Sequence, residues 1–447
     1  MTTSDMTELK DAEYAEDPAA DENAGHAAGA VPTAARDALA ADAANSADSA
    51  AVAELEDEGL ALTDEQSAAH GAHNRGDRAR SFELSDHERP TSDIEEWRFT
   101  PLRRFAPLLE DTATDDREGD PAVDYQVDVP EGAPETSTLA VGEAPRGTVL
   151  VPEDLPSAVA SVRSEQALYL VAPKNTEITE PYRVEITGRG ADRRANAHIV
   201  LETKESSTAT FVLNHTGSAQ YAQNVEMVAG DNSQMTVISL QDWDDDALHI
   251  ATHHGAVGRD AKIKHIVVTL GGSAVRVNTI SDLVRPGGEV ENLGLYFSDE
   301  GQFLEHRLFV DHTAPNCTSD SAYKGALQGR SARSVWVGDV LIRKEAEGTN
   351  TYELNRNLVL TEGARADSVP NLEIETGEIE GAGHAAATGR FDDEQLFYLR
   401  ARGISEKEAR RLVVRGFFAE LIQRIDVPEI REHLTESIET ELSRSMN

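Results

Sequence analysis

Histidines are the residues of this chain whose type and spacing offer chemistry most directly. Three of them, His249, His253 and His254, stand together in the run LHIATHH. On a strand, His249 and His253 would project from the same face, as two imidazole ligands of a metal ion would. No carboxylate or thiolate stands nearby in a frame that completes such a site. We therefore interpret all three as structural histidines.

The chain has one cysteine, Cys317, in the run EHRLFVDHTAPNC. One thiol excludes internal disulfides and self-contained cysteine-rich zinc sites. His306 and His312 could approach the thiol, which would make a small reactive cluster. Pro315 and Asn316 are turn residues, however, and a turn here would place a small buried cysteine. We favour that structural interpretation.

His384 is the remaining candidate, in EGAGHAAATGRFDDEQLFYLRARGIS. Small residues surround it, so another group could approach the imidazole closely. The run lies between the last predicted strands and the first predicted terminal helix. Spacing alone favours a structural role and leaves a functional role open.

Charge and hydropathy restrict the partners. The chain has 81 acidic and 41 basic side chains and a formal charge of −40, so neither nucleic acid nor an anionic membrane is an expected partner. No apolar stretch approaches the roughly 20 residues that span a bilayer. The start, MTTSDMTELKDAEYAEDP, lacks the basic and apolar regions of a signal peptide. We expect a cytoplasmic protein.

Motifs of common enzymes are missing from the sequence. It has no P-loop, no G-x-S-x-G elbow and no H-E-x-x-H run. Polysaccharide lyases and hydrolases often use β-helices with paired carboxylates along a strand face. Acidic residues are so abundant here that a chance pair is expected. We predict that the protein is not an enzyme and keep a β-helical carbohydrate-active enzyme as the alternative.

Composition divides the chain into four parts. Residues 1–81 consist mainly of Ala, Asp, Glu, Ser and Gly, which cannot bury enough apolar area to offset the entropy of ordering. We predict a disordered acidic tail there. Residues 82–137, with Trp97 and Phe99, are predicted to form an N-terminal segment packed on the main body.

Residues 138–389 are predicted to form a series of short strands. Alternating runs such as Met235–Leu240 and Lys262–Leu270 are separated by Gly, Asn, Asp or Ser. The strand region exceeds roughly 200 residues, which is long for one sandwich, and its turns are short. These features favour a β-helix, although the repeat has no fixed period. Its open final coil would need a cover.

Residues 390–447 are predicted to be a helical subdomain that supplies such a cover. One helix stops at Gly403, and Ser405 with Glu408 forms a capping box for the next. In that helix Val413, Phe417, Leu421 and Ile425 recur at four-residue steps, beside Val414, Phe418 and Ile422. This spacing predicts a broad buried face. Pro428 begins a last, more polar helix that ends near Ser443.

The stretch Gly389–Ile404, GRFDDEQLFYLRARGI, resembles the C-terminal motif of the SufD family. FVDHTAPNCTSDSAYKG and EEWRFTPL resemble the same family, and the resemblance runs from about Glu88 to the C-terminus. Its paralogue SufB would be expected to carry cysteines that accept sulfur or ligate a cluster. Only Cys317 is available, so the resemblance favours SufD. Some SufD proteins have a cysteine two residues before the histidine, where this chain has Ala382.

The resemblance implies a fold, partners and a site. The fold is mainly β: a right-handed parallel β-helix core with the helical subdomain and the acidic tail. A SufB-like paralogue pairs through the β-helices, and a SufC-like ABC ATPase docks on the terminal helices. His384 faces the paralogue as a metal ligand or proton relay. Partner contacts are expected from four arginines: Arg400, Arg402, Arg411 and Arg415.

A cluster normally needs about four ligands, mainly thiolates. One cysteine and scattered histidines cannot supply them. We therefore expect no cofactor to be held stably by the chain alone, and a transient iron–sulfur cluster to be shared with the partner. A purely structural paralogue, which carries the ATPase and contributes no ligand, is the second alternative.

Overall fold

The computed structural model describes residues 78–117, 119–391 and 393–444, which belong to one compact unit, His73–Asn447. The tail predicted for residues 1–81 lies outside the described residues except for its last four. Two of those four are anchored: Arg78 forms an ion pair with Glu96, and Arg80 lies 3.0 Å from Glu153. The ordered body therefore begins within the stretch that was predicted to be tail.

Most of the described chain is β-strand. The strands are β1 (Val123–Asp128), β2 (Ser137–Ala140), β3 (Gln166–Ala172), β4 (Tyr182–Thr203), β5 (Thr208–Ala229), β6 (Gln234–Gln241), β7 (Leu248–Val257), β8 (Lys262–Thr269), β9 (Ala274–Leu283), β10 (Glu289–Ser298), β11 (Phe303–His312), β12 (Thr318–Leu327), β13 (Arg333–Ile342), β14 (Asn350–Val359), β15 (Arg365–Ile374) and β16 (Gly381–Arg390). Apart from β1 on β4 and β2 on β3, these strands pair in parallel.

The parallel strands form two stacks that together make a solenoid. Stack A contains the first halves of β4 and β5 and then the even-numbered strands β6 to β16. Stack B contains the second halves of β4 and β5 and then the odd-numbered strands β7 to β15. Each coil adds one strand to each stack, in register with the coil before. The predicted β-helix is confirmed.

Unequal coils explain why the sequence has no fixed repeat. Successive stack A strands begin at residues 182, 208, 234, 262, 289, 318, 350 and 381, so one coil takes 26 to 32 residues. A recurring corner is the regular feature, because a residue with positive φ stands two positions before the strand in most coils. These residues are Ser206, Asn232, Asp260, Gly287, Asn316 and Gly348. Such residue types tolerate the left-handed region best.

Each corner is hydrogen-bonded to the next. The amide of Asn232 donates to the carbonyl of Arg259 (2.7 Å), and the amide of Asn316 donates to that of Glu347 (2.7 Å). The residue after each positive-φ position is small and buried; these residues are Ser207, Ser233, Ala261, Gly288, Cys317 and Thr349. The corner column therefore requires small side chains, and the cysteine is one of them.

Helices and an irregular segment cover the outer faces of the stacks. The helices are α1 (Leu102–Phe105), α2 (Leu155–Arg163), α3 (Asp393–Ala401), α4 (Glu406–Gln423) and α5 (Pro428–Arg444), with 3₁₀ turns at Leu84–Asp86, Glu95–Trp97 and Ala106–Leu108. On stack B, Phe303 and Val335 pack under Trp97 and Phe105 of the N-terminal segment. That segment packs on the body as predicted.

The terminal helices lie on the outer face of stack A. Ile266 and Leu295 of the sheet share an apolar cluster with Phe418 of α4 and Leu434 of α5. The prediction that these helices cover the last coil is wrong, since no residue of β15 or β16 is buried. The apolar stripe of α4 is matched to a long apolar side face, which offers far more burial than one coil end.

Local helix signals were read correctly. The Ser405 side chain accepts a hydrogen bond from the Glu408 amide (3.3 Å), and Gly403 has a φ of 85°. Of the predicted apolar face, Phe418, Leu421 and Ile425 are buried, whereas Val413 and Phe417 are only partly buried. None of the helices in the described ranges is long and apolar enough to cross a membrane.

Candidate functional site at the open end of the solenoid

His384 lies on β16, the last strand of stack A. Its side chain is exposed and borders a surface hollow with Val340, Pro370 and Leu372 of stack B. The imidazole therefore faces the interior of the solenoid at its uncovered end. Ala382 and Ala386 flank it on the same face of the strand. These methyl groups leave the imidazole accessible to an approaching group.

Glu353 lies one coil deeper than His384. Strands β14 and β16 pair in parallel with Glu353 directly beside His384, and in-register neighbours in a sheet are about 4.8 Å apart with side chains on one face. Glu353 is only 1% exposed, and neither of its carboxyl oxygens has a hydrogen-bond partner in the described structure. Burial, with a smaller contribution from the Asp339 charge, raises the pKa of Glu353 to about 8.

The interior around Glu353 is shaped by stack B. A Cβ at Gly338 would lie 2.6 Å from Glu353 Oε1 and 2.4 Å from Cη2 of Trp336. The glycine is therefore required to make room for the carboxyl and the indole ring together. The end of the solenoid thus contains an exposed imidazole above a buried carboxyl and a tryptophan.

Sequence analysis missed Glu353, and the reason is physical. In NTYELNRNLV the apolar residues Tyr352, Leu354 and Leu358 alternate with polar ones, which normally marks the apolar set as the buried face. Here the polar set, with Glu353 and Asn355, faces the interior and is buried. Leu358 instead packs toward the terminal helices. Only the pairing of β14 with β16, which places Glu353 beside His384, would have indicated that Glu353 belongs to the site.

Strands β15 and β16 end the two stacks. In the described structure each has a parallel neighbour on one side only, β13 and β14 respectively. Their other edges present backbone donors and acceptors, which readily pair with another chain. The same end exposes His384, so edge and imidazole form one surface. We call β15 and β16 the open end.

The predicted structural histidines are buried as expected. Trp243 Nε1 donates to His249 Nδ1 (3.1 Å), and His253 Nδ1 lies 3.0 Å from His265 Nε2. Burial depresses the pKa of His249 and of His253 well below the usual range. His254 points the other way, to Asp282 Oδ2 (2.8 Å). In the described ranges no group of three or more His, Cys, Asp or Glu could hold a metal ion.

Cys317 has the predicted structural setting. Its thiol is fully buried and contacts the carbonyl oxygens of Arg285 (3.4 Å) and Pro315 (3.6 Å). Burial raises the pKa of the thiol, which keeps it protonated at neutral pH. His312 bonds to Ser319 (2.9 Å) and not to the cysteine. The turn interpretation is confirmed.

The four predicted partner-binding arginines lie on the terminal helices or just after one. Arg400 is 3.6 Å from Glu406, Arg402 donates to the Tyr398 hydroxyl (2.8 Å), Arg411 is 3.9 Å from Glu408, and Arg415 is 3.1 Å from Glu439. Beside them, Phe397 and Tyr398 of α3 are 75% and 58% exposed. Large exposed aromatic side chains next to arginine are typical of interaction surfaces. We call Phe397, Tyr398, Arg400 and Arg402 the α3 patch.

Fold and site together define a parallel β-solenoid with one uncovered end that presents a histidine. A family model described as the SufBD core domain of SUF-system FeS cluster assembly matches residues 186–417. An iron–sulfur cluster assembly SufBD family protein of Mycobacterium tuberculosis (strain CDC 1551) is 49% identical over 377 residues, which cover 83% of this chain and 94% of that protein. The chain belongs to the SufBD family of iron–sulfur cluster assembly proteins.

More distant relatives include proteins named SufD. The iron–sulfur cluster assembly protein SufD of Bacillus subtilis (strain 168) is 26% identical over 336 residues, covering 70% of this chain and 72% of that protein. The protein of the same name from Escherichia coli (strain K12) is 29% identical over 177 residues, covering 40% and 41%. The Gly389–Ile404 motif therefore indicated the SufBD family correctly.

Proposed function

We propose that this chain is a SufD-like scaffold subunit of the SUF system. It pairs with a SufB-like paralogue, docks a SufC-like ABC ATPase, and contributes to building a cluster at the interface with the paralogue. It acts in the cytoplasm and has no enzymatic activity of its own. The observation that carries the proposal is the open end, where an exposed histidine stands on an uncovered coil.

The open end supports pairing through the β-helices. An exposed strand edge gains backbone hydrogen bonds when another strand adds to it, and the uncovered interior of the coil gains apolar contacts. A second solenoid of similar cross-section would satisfy both needs at once. A SufB-like paralogue is such a solenoid.

The ligand supply supports a shared and transient cluster. The buried thiol of Cys317 is enclosed in the corner column, two coils before the last strand β16. His384 is the exposed ligand-type side chain on β16. A cluster that needs about four ligands must then take most of them from the partner. Alone, the chain is expected to hold no stable cluster.

The terminal helices support docking of the ATPase. Helices α4 and α5 use their apolar stripes to cover stack A, so they are fixed to the body. The α3 patch projects exposed aromatic and arginine side chains beyond that packing. A partner that binds there would contact side chains that the packing of α4 and α5 on stack A does not use.

A variant of His384 tests the proposal. His384→Ala adds no bulk and breaks no buried contact, so the SufB–SufC–SufD-type complex should still assemble. Cluster formation by the anaerobically purified complex should fall at least about tenfold, as when a metal site loses a supporting group, while ATP hydrolysis should largely remain. Cluster absorption and phosphate release measure the two effects.

Cys317→Ala is the matched control and should change cluster formation much less. If the His384→Ala complex forms clusters as well as the wild type does, the chain is better described as a purely structural paralogue that contributes no ligand. Failure of the chain to copurify with both partner types would remove the scaffold proposal altogether. The carbohydrate-active alternative has no support in the described structure, because the outer faces of both stacks are covered over much of their length.

A further inference from the structure

Glu353 is a buried acid that the proposed function does not yet use. We propose that it is a second iron ligand beside His384, so that the open end supplies one imidazole nitrogen and one carboxylate oxygen. This inference rests on the proposed scaffold function and specifies the iron site that this chain contributes. The iron is cargo, and its remaining ligands come from the partner or from sulfide.

The strand register carries the geometry. Glu353 and His384 are Cα partners on adjacent strands, so both side chains project into the interior from neighbouring coils. The buried residues Thr351 and Asn355 of β14 identify the interior face. Two side chains in this relation can place their donor atoms about 3 Å apart, as neighbouring ligands of one metal ion must be.

The bonding of Glu353 differs from that of other buried carboxylates. Glu226 accepts hydrogen bonds from the amides of Gly147 and Val149 (both 2.7 Å) and lies 3.1 Å from His198. Glu305 pairs with arginine and with Thr100. Glu353 is enclosed equally, yet neither oxygen has a partner in the described structure. Such a group normally loses several kcal/mol of solvation, which a bound cation would offset.

The donor set suits ferrous iron. Imidazole nitrogen and carboxylate oxygen both bind it, and the carboxylate also neutralises one of its charges. Two ligands form only a half-site, in agreement with the absence of any group of three in the described ranges. The half-site opens toward the partner, since His384 is exposed and Glu353 lies beneath it.

Trp336 provides an internal probe. Its ring and a Glu353 oxygen both lie within 2.6 Å of the position that a Gly338 Cβ would take, so ferrous iron bound by Glu353 should quench its fluorescence. Anaerobic titration of the full-length chain with a ferrous salt should give saturable quenching that Trp336→Phe removes. Iron retained by the copurified complex after desalting, measured with a chromogenic chelator, is the second readout.

Glu353→Gln is the main variant because it keeps the volume and removes the carboxyl group that would bind the cation. It should weaken ferrous binding by at least about tenfold, and His384→Ala should do the same. The double variant should be little worse than either single one, since both remove the same site. Glu380→Gln, which removes an exposed carboxylate just before β16, should bind as the wild type does.

A glutamine at this position could accept a hydrogen bond from the imidazole but would be a poor iron ligand, so the variant distinguishes a ligand from an orienting group. If Glu353→Gln binds ferrous iron as tightly as the wild type in both readouts, Glu353 is not an iron ligand and the inference is wrong. Glu353→Asp keeps a carboxylate one methylene further back and should recover part of the affinity, which guards against a folding defect in the glutamine variant. If these variants bind iron normally while His384→Ala still blocks cluster formation, the scaffold proposal stands without this ligand.

Discussion

The interior histidines are the residues through which acid should act on this fold. Burial lowers the pKa of His215 to about 4 and that of His306 to about 3. In an unfolded chain the same groups titrate near about 6.5. Below that pH the unfolded state binds protons that the folded state cannot. The free energy of unfolding should therefore fall as the pH drops from about 6.5 toward the folded-state values.

His306→Phe isolates one such group. The His306 ring lies tilted against Tyr296 with ring centroids 5.0 Å apart. Thr269, its hydrogen-bond partner, keeps a second partner in Gln241. As the pH falls from 6.5 to 5, the free energy of unfolding should decrease less steeply in the variant than in the wild type. The difference in slope should be up to about 1.4 kcal/mol per pH unit. Urea unfolding at several pH values measures the difference. Parallel curves would mean that His306 binds its proton over the same pH range in the folded and unfolded states.

Residue roles were predictable where a local rule decided them. Asn316 and Pro315 indicated a turn, and the positive φ of Asn316 agrees. Glu353 was not predictable, because its burial depends on which face of β14 points inward. That choice is made by packing of Leu358 under the terminal helices, which lies outside any local window.

At the scale of elements, the terminal helices pack one face on the body and leave other side chains exposed, where the proposed partner would bind. Arg415 lies 3.1 Å from Glu439 of α5 and is half exposed, while Phe397 of the α3 patch is the most exposed large apolar side chain in the described structure. We expect Arg415→Glu, Arg411→Glu and Phe397→Ala each to weaken binding of the ATPase by about tenfold, as loss of an interface anchor does. Isothermal titration calorimetry or surface plasmon resonance would measure the change in affinity.

A charge swap is the control for the arginine. Arg415→Glu combined with Glu439→Arg restores an ion pair between α4 and α5 and keeps the reversed charge at 415. If the swap binds as weakly as the single variant, the arginine contacts the partner. If the swap recovers wild-type binding, Arg415 acts only by fixing the two helices. If none of the three single variants weakens binding, the ATPase docks on a different surface.

The same elements separate what sequence determines from what packing determines. Ser405 and Gly403 fix where α4 begins and α3 ends through their own hydrogen bond and backbone angle, so those boundaries were predictable. The position of α4 was not, because an amphipathic stripe specifies burial and not its partner. The coil repeat was hidden for a similar reason: in-register stacking constrains the strands and corners, while the connections vary in length.

At the scale of the whole molecule, the two ends of the solenoid differ. The first coil is extended by β1 on stack A and by β3 on stack B, and Val123 and Leu170 join the interior core. The last coil has no such cover in the described structure. A solenoid closed at one end and open at the other can pair only once through its interior, which suits a subunit that meets one solenoid partner.

The beginning of the ordered body gives a sharp test of the predicted tail. The composition of residues 1–77 predicts no contribution to a core, so their removal should leave the melting temperature almost unchanged. Removal of residues 1–81 deletes Arg78 and Arg80, whose partners Glu96 and Glu153 are only 5% exposed as side chains. Glu96 keeps Arg276 and Arg307 (both 3.0 Å), so most of the loss should come from Glu153, a buried carboxylate that loses its cation.

The longer truncation should therefore melt a few degrees lower than the shorter one. Arg78→Gln with Arg80→Gln in the full-length chain is the matched control and should reproduce most of that loss, because it removes the charges and keeps the backbone bond from the Ser81 amide to the Pro152 carbonyl (3.0 Å). Differential scanning calorimetry of the four proteins separates the contributions. A loss of several degrees on removing residues 1–77 alone would mean that the acidic segment packs on the body. Equal melting temperatures of the two truncated proteins would mean that the two arginines contribute nothing to the stability of the body.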